Sequence, residues 1–178
     1  MLVQRTRAEQ AAEVFNTFRK QYPNPYALAR SSLGEVQEVI EPLGLHWRAK
    51  WIYRLGQKLV TEYDGEVPET LEELTELPGI GPYAAGAFLS LHQNTWAIIP
   101  DANMVRILGR FFGRETHAET RRNKEFLQLC KEVTPEGSFK QFNYAIIDFG
   151  REVCTPKDPA CMQCPLNNRC SYFKTKTG

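Results

Sequence analysis

Apolar side chains recur three and four positions apart along nearly the whole chain, the spacing that lines one face of a helix. The first run, Ala11, Val14, Phe15 and Phe18, predicts a helix, but residues 1–4 offer no capping residue or entry turn, so this helix reads as cut at its start. Pro23, Asn24 and Pro25 break the chain. Ser31 or Ser32 can then cap a helix carrying Leu33, Val36, Val39 and Ile40 and ended by Gly44. A longer amphipathic helix follows, with Trp47, Trp51, Ile52, Leu55 and Leu59 on its apolar face, stopping at Asp64-Gly65. Past the connector Glu66-Val67-Pro68, the spacing of Leu71, Leu74 and Leu77 marks a helix that runs into Leu77-Pro78-Gly79-Ile80-Gly81, and the next helix carries small residues, Ala84, Ala85 and Ala87, on one face. Asp101 opens a helix with Val105, Ile107, Leu108, Phe111 and Phe112. Phe126, Leu127, Leu129 and Val133 make another, and Phe139, Phe142, Ala145, Ile146 and Phe149 a third. The best apolar run outside these, residues 96–99, is too short to found a sheet, so the fold class is all-α.

The two glycines of LPGIG tolerate positive φ and carry no side chain, so backbone amides around them can approach a ligand closely. They stand just before a helix, whose free N–H groups attract anions, which points to a phosphate. Pro82 and Tyr83 follow where a P-loop needs Lys and Ser/Thr, and a helix precedes where a dinucleotide loop needs a strand. Helix, five-residue turn and helix look like the helix-hairpin-helix that grips a DNA backbone without reading sequence. A plain helical hairpin with a glycine C-cap is the alternative.

Composition sharpens this only a little. The 178 residues are 42% hydrophobic and 24% charged, ordinary for a globular protein and long enough for one domain or for a core with a small stapled module. No stretch approaches a membrane span and no cleavable signal is visible, so the expected location is the cytoplasm, nucleoid-associated in a prokaryote, without a membrane. Net charge of +1 does not announce a polyanion partner. Local clusters carry that case: Arg5 with Arg7, Arg48 with Lys50 and Arg54, Arg106 with Arg110 and Arg114, Arg121 with Arg122.

Four cysteines close the chain as C-x6-C-x2-C-x5-C: Cys154, Cys161, Cys164 and Cys170, interleaved with Pro156, Pro159 and Pro165. Thiols this dense without an export signal argue for a metal centre over disulfides. Tetrahedral zinc and an iron–sulfur cubane, one cysteine per iron, both take four cysteines, and the spacing alone leaves them open. Cys130 lies outside the motif and reads as a buried apolar thiol.

LPGIG-x-Y-x-A, the Asp101-Ala102-Asn103 helix start and the cysteine spacing together resemble the endonuclease III superfamily of base-excision DNA glycosylases, over essentially the entire chain. The resemblance implies a two-lobed helical fold: a helical barrel lobe over residues 1–113 with the helix-hairpin-helix at about 71–92, and a second lobe over 114–178 with the cluster loop at 154–170. It implies double-stranded DNA with a mismatched or damaged base as partner, a monomer, Gly79 and Gly81 on backbone phosphates, Asp101 as catalytic carboxylate, and a [4Fe-4S] cluster on Cys154, Cys161, Cys164 and Cys170. Members normally begin with a further helix or more, which this chain is expected to lack.

Members that cleave the strand carry lysine two residues after the hairpin, where its amine forms a Schiff base. Tyr83 stands there, and a phenol forms no imine, so a monofunctional enzyme is implied; Lys50 and Lys124 are other amines, neither at the matching place. Hydrolysis of an N-glycosidic bond builds positive charge on the sugar, which a carboxylate stabilises, and Asp101 is the candidate, although an aspartate before Ala-Asn-Met-Val-Arg is equally a good N-cap. Tyr83, Asp101-Ala102-Asn103 and FNYAIIDFG look most like the Mig-type thymine/uracil mismatch glycosylases. There Arg5 would fill the gap left by the flipped base and Leu45 would be a wedge. Their bland counterparts are a solvated helix residue and a hydrophobic cap contact. The runner-up is a MutY-type adenine glycosylase, weakened by Ala102 where glycine is usual and by the eight residues that follow Cys170; its glutamate would align just before Met1. A non-catalytic DNA-binding relative is the reading from another class.

Overall fold

The computed structural model describes residues 8–44 and 46–177, so Arg5 and Leu45 lie outside the described residues. All regular structure among those described is helical: α1 (Ala8–Gln21), α2 (Pro25–Ala29), α3 (Leu33–Ile40), α4 (Trp47–Tyr63), α5 (Leu71–Glu76), α6 (Pro82–Ala87), α7 (Ala102–Phe112), α8 (Lys124–Val133), α9 (Phe139–Glu152) and α10 (Ser171–Thr177). Among the described residues no helix is long and apolar enough to cross a membrane. The chain divides into two compact units, Met1–Ala85 and Gly86–Gly178.

In the first unit Val14, Leu28, Val36, Ile40, Ala49 and Ile52 form the core. Helix α1 buries Ala11 and Val14, while Phe15, expected inside, is exposed because it sits one position round the helix from that stripe. The Pro23-Asn24-Pro25 break conceals α2: the Asn24 side chain accepts from the Ala27 N–H at 2.9 Å and Pro25 takes the first turn, where its missing N–H costs nothing. Of the two candidate caps for α3, Ser32 is used, in a capping box. Its Oγ accepts from the Glu35 N–H at 3.2 Å, and the Glu35 carboxylate accepts from the Ser32 N–H at 2.7 Å. Those two bonds draw the exposed Glu35 carboxyl below its usual range.

Helix α4 buries Ile52 and Leu59 of the expected face but turns its two tryptophans outward. It buries Arg48, Ala49, Ile52, Gly56 and Leu59, whereas Trp47 and Trp51 are 54% and 38% exposed. The small residues set the rotation, since a Cβ on Gly56 would stand 2.6 Å from Leu28 Cγ and helix α2 seats there. The helix ends at Asp64 (φ 50°) and Gly65 (φ 78°), and the Tyr26 hydroxyl donates to the Asp64 carbonyl and carboxylate, each at 2.8 Å.

In the second unit Met104, Leu108, Phe126, Leu129 and Cys130 form the core between α7 and α8. The buried residues of α9 are Asn143 and Gly150, not the aromatic positions that the spacing offered. Gly113 ends α7 in the left-handed region at φ 67°.

Candidate functional site

The hairpin is built by the first unit. Thr70 caps α5 by accepting from the Glu73 N–H at 3.2 Å, Leu74 and Leu77 are buried, and the Ile80 N–H closes the turn onto the Leu77 carbonyl at 3.1 Å. Lys58 on α4 donates to the Glu76 carbonyl at 3.4 Å, holding the approach to the turn. Of the two hairpin glycines, which both tolerate the left-handed conformation, Gly79 uses it, at φ 74°, and Gly81 does not. A Cβ on Gly81 would meet nothing within 4 Å, so packing within the protein does not itself require glycine there. Tyr83, in the first turn of α6, is half exposed.

Helix α6 continues into a wider π-helical turn at Phe88–His92. In the second unit Gly86 lies against the extended segment that leads to Asp101: a Cβ on Gly86 would stand 2.1 Å from the Ile98 carbonyl oxygen. From α9, the buried Asn143 amide donates to Ser90 Oγ at 2.8 Å and to the Ala97 carbonyl at 3.0 Å, tying the π-helical turn and the extended segment to one side chain. Gly86→Ala is expected to lower the unfolding free energy by about 1–3 kcal/mol, because backbone has to move rather than a side chain, and a urea titration reads it.

The aspartate at the end of that segment is held from two sides. Asp101 Oδ1 accepts from the Met104 N–H at 2.7 Å, capping α7, and Oδ2 accepts from Asn103 Nδ2 at 2.7 Å. The chain of contacts continues inward. Arg106 Nη2 donates to Asn103 Oδ1 and to the Gly150 carbonyl, and Arg106 Nε donates to the Cys154 carbonyl, each at 2.7 Å. Gly150 has no room for a side chain, its Cβ position lying 2.7 Å from Asn103 Oδ1. Asn103 stood in the sequence only as part of the helix start and Arg106 only as part of a basic cluster, so their joint support of Asp101 was not foreseen. The visible signal was an arginine at i+4 from Ala102 and another at Arg110.

Those arginines do not form the phosphate-facing cluster that the charge pattern offered. Arg110 donates to the Thr155 carbonyl at 2.7 Å, the Pro156 carbonyl at 3.0 Å and Cys154 Sγ at 3.4 Å, and its guanidinium stacks 4.7 Å from the Tyr172 ring centroid on α10. Lys176 lies 5.0 Å from the same ring. Two arginines one turn apart therefore fasten the cysteine loop to α7. Arg48 is likewise removed from the surface by burial.

Cys154, Cys161, Cys164 and Cys170 all line one cavity, walled by Ile107, Phe149 and other apolar side chains. Among the described residues no three His, Cys, Asp or Glu side chains converge on a point that would hold a single ion. The Cys170 thiol donates to the Arg110 carbonyl at 3.6 Å. Burial pushes the Cys164 thiol up, a Leu166 backbone hydrogen bond pulls it down, and Cys170, Cys154 and Cys161 push it up again. Cys130 is fully buried beside Met104 and Leu108, and burial raises its thiol to about 12 against a backbone hydrogen bond that lowers it, so it is an inert core thiol.

Comparison with known proteins gives three findings. The family model described as HhH-GPD superfamily base excision DNA repair protein matches residues 1–132. A thymine-DNA glycosylase of Aeropyrum pernix is 36% identical over 97% of this chain and 79% of its own length, and an adenine DNA glycosylase of Buchnera aphidicola is 33% identical over 99% of this chain but 51% of its own length. The solved structure of a thermostable thymine-DNA glycosylase superposes with a TM-score of 0.90 at 28% identity, covering 98% of this chain and 81% of that one.

Proposed function

Because the chain belongs to the HhH-GPD superfamily of base excision DNA repair proteins, we propose that it is a monofunctional DNA glycosylase that hydrolyses the N-glycosidic bond of thymine or uracil mispaired with guanine. The observation that carries the chemistry is the held carboxylate: Asp101 is fixed by the Met104 N–H and the Asn103 amide. Similarity to a thymine-DNA glycosylase at 36% identity over 97% of this chain, and to a solved thymine-DNA glycosylase at a TM-score of 0.90, supports the choice of base.

The flipped nucleotide's C1′–N bond breaks with its electron pair going to the base, and positive charge develops on the sugar. The Asp101 carboxylate stabilises that charge and takes a proton from the water whose oxygen attacks C1′. The departing base takes a proton from solvent, leaving an abasic site. The Gly79–Gly81 hairpin binds backbone phosphates through its amides, Arg5 fills the space vacated by the base, and Leu45 wedges the opposite strand. Neither Arg5 nor Leu45 falls within the described residues.

Tyr83 closes the imine route. Tyr83→Lys is expected to introduce strand cleavage and covalent trapping of DNA by borohydride, because it restores an amine on an exposed first-turn position; absence of any trapped species removes Tyr83 from that place.

For the cysteines we propose a [4Fe-4S] cluster. Four thiols spread round one apolar cavity suit a cluster that takes one cysteine per iron. When bound, the cluster supplies structural cross-linking and redox capacity, while Arg106 and Arg110 hold the loop that carries it to α7.

Base release from labelled duplexes containing T:G, U:G, A:G and A opposite 8-oxoguanine, with and without alkali, tests the function. Thymine and uracil released opposite guanine, with breaks only after alkali, bears it out. Adenine release moves the chain to the MutY-type reading.

A further inference from the structure

We propose that the outward face of the first half of α4 is a second nucleic-acid contact, which takes unpaired bases of single-stranded DNA by stacking on Trp47 and Trp51. The two indoles are four residues apart, so they share one side of the helix, and both are exposed despite being two of the largest apolar side chains in the unit. Lys50 and Arg54 are exposed on the same stripe, interleaved with them. No acidic residue lies between Glu41 and Glu62 in the sequence, and among the described residues no salt bridge engages Lys50 or Arg54, so this stripe is positive and complementary to a polyanion. Aromatic rings alternating with cations are what a strand of unstacked bases and phosphates requires, since each base offers a π-face and each phosphate a charge.

The first indole is also pre-set. The buried Arg48 guanidinium lies over the Trp47 ring, 5.8 Å from its centroid. A ring anchored from below by a buried cation gives up little conformational freedom when a base stacks on its other face. The face differs from the groups assigned to base excision, and undamaged DNA probes it without reference to which base is released.

Equilibrium binding of the full chain to a labelled, undamaged oligothymidine is the test, with tryptophan fluorescence read alongside; Trp96 in the second unit is the internal reference. Trp47→Ala/Trp51→Ala is expected to weaken binding about tenfold or more, and Trp47→Phe/Trp51→Phe to retain most of it, because phenylalanine still stacks. Lys50→Gln/Arg54→Gln is expected to reduce the slope of log affinity against log salt by about 1.4, the share of two phosphate contacts on a single strand. Circular dichroism verifies that each variant is folded, which substitution of exposed residues favours. Unchanged oligothymidine affinity in the alanine pair overturns the proposal, as does a loss that phenylalanine fails to restore. A concentration-dependent dimer broken by the same substitutions would assign the face to a second copy of the chain and overturn it equally.

Discussion

Asp101→Asn is expected to slow release of the mispaired base about 10²- to 10³-fold while leaving mismatch binding and folding nearly unchanged. The separation is possible because asparagine caps a helix about as well as aspartate. The variant can keep the bond from the Met104 N–H while losing the charge and the second acceptor, so the Asn103 amide has to turn to another partner. Asp101→Ala is the contrasting case: it removes the charge and the cap together and is expected to cost about 1 kcal/mol of stability besides. Single-turnover release from a T:G duplex, with affinity for the same duplex, distinguishes the two. Release unchanged in Asp101→Asn would remove the carboxylate from the chemistry and leave it a cap.

The second large effect is at the cysteine loop. Cys161→Ser is expected to abolish visible absorption by an iron–sulfur centre and to destabilise the second unit by more than about 4 kcal/mol, the scale of losing a structural metal group. The loop between Cys154 and Cys170 holds two short 3₁₀ turns, Cys161–Gln163 and Asn167–Arg169, and is fixed by the carbonyl contacts of Arg106 and Arg110 and by local bonds such as Ala160 N–H to the Val153 carbonyl. Iron and zinc content, the visible spectrum and a urea titration check it together. A colourless wild-type protein with stoichiometric zinc would reverse the metal assignment.

What the sequence revealed and hid follows from the range of the interactions involved. Local rules were legible: the Ser32 cap, the Asp64-Gly65 stop and the Asp101 start of α7 each depend on residues within a few positions of one another. Resemblance carried the rest of the site. Positions decided by long-range packing were not legible. Trp47 and Trp51 look like core by size, yet the helix is turned so that Ala49 and Gly56 join Ile52 and Leu59 inside, because α2 needs the space at Gly56. Asn143 looks like an interruption of an apolar stripe and is instead its most buried side chain, because it satisfies Ser90 and the Ala97 carbonyl some fifty residues away. Arg106 and Arg110 read as surface charge and are in fact spent on carbonyls more than forty residues downstream.

Asp101's double employment bears on how this position is inherited. In a lineage relieved of catalysis the bond to the Met104 N–H would still be worth keeping, and Asp, Asn, Ser and Thr all supply it. Such a lineage would drift among those four residues, whereas one under selection for turnover is confined to the acid. Asn103 follows the same logic one step removed, since its amide has a reason to stay only while a partner acceptor stands at 101 and Arg106 stands behind it. Reading 101, 103 and 106 together across descendants would separate working enzymes from retired ones without an assay.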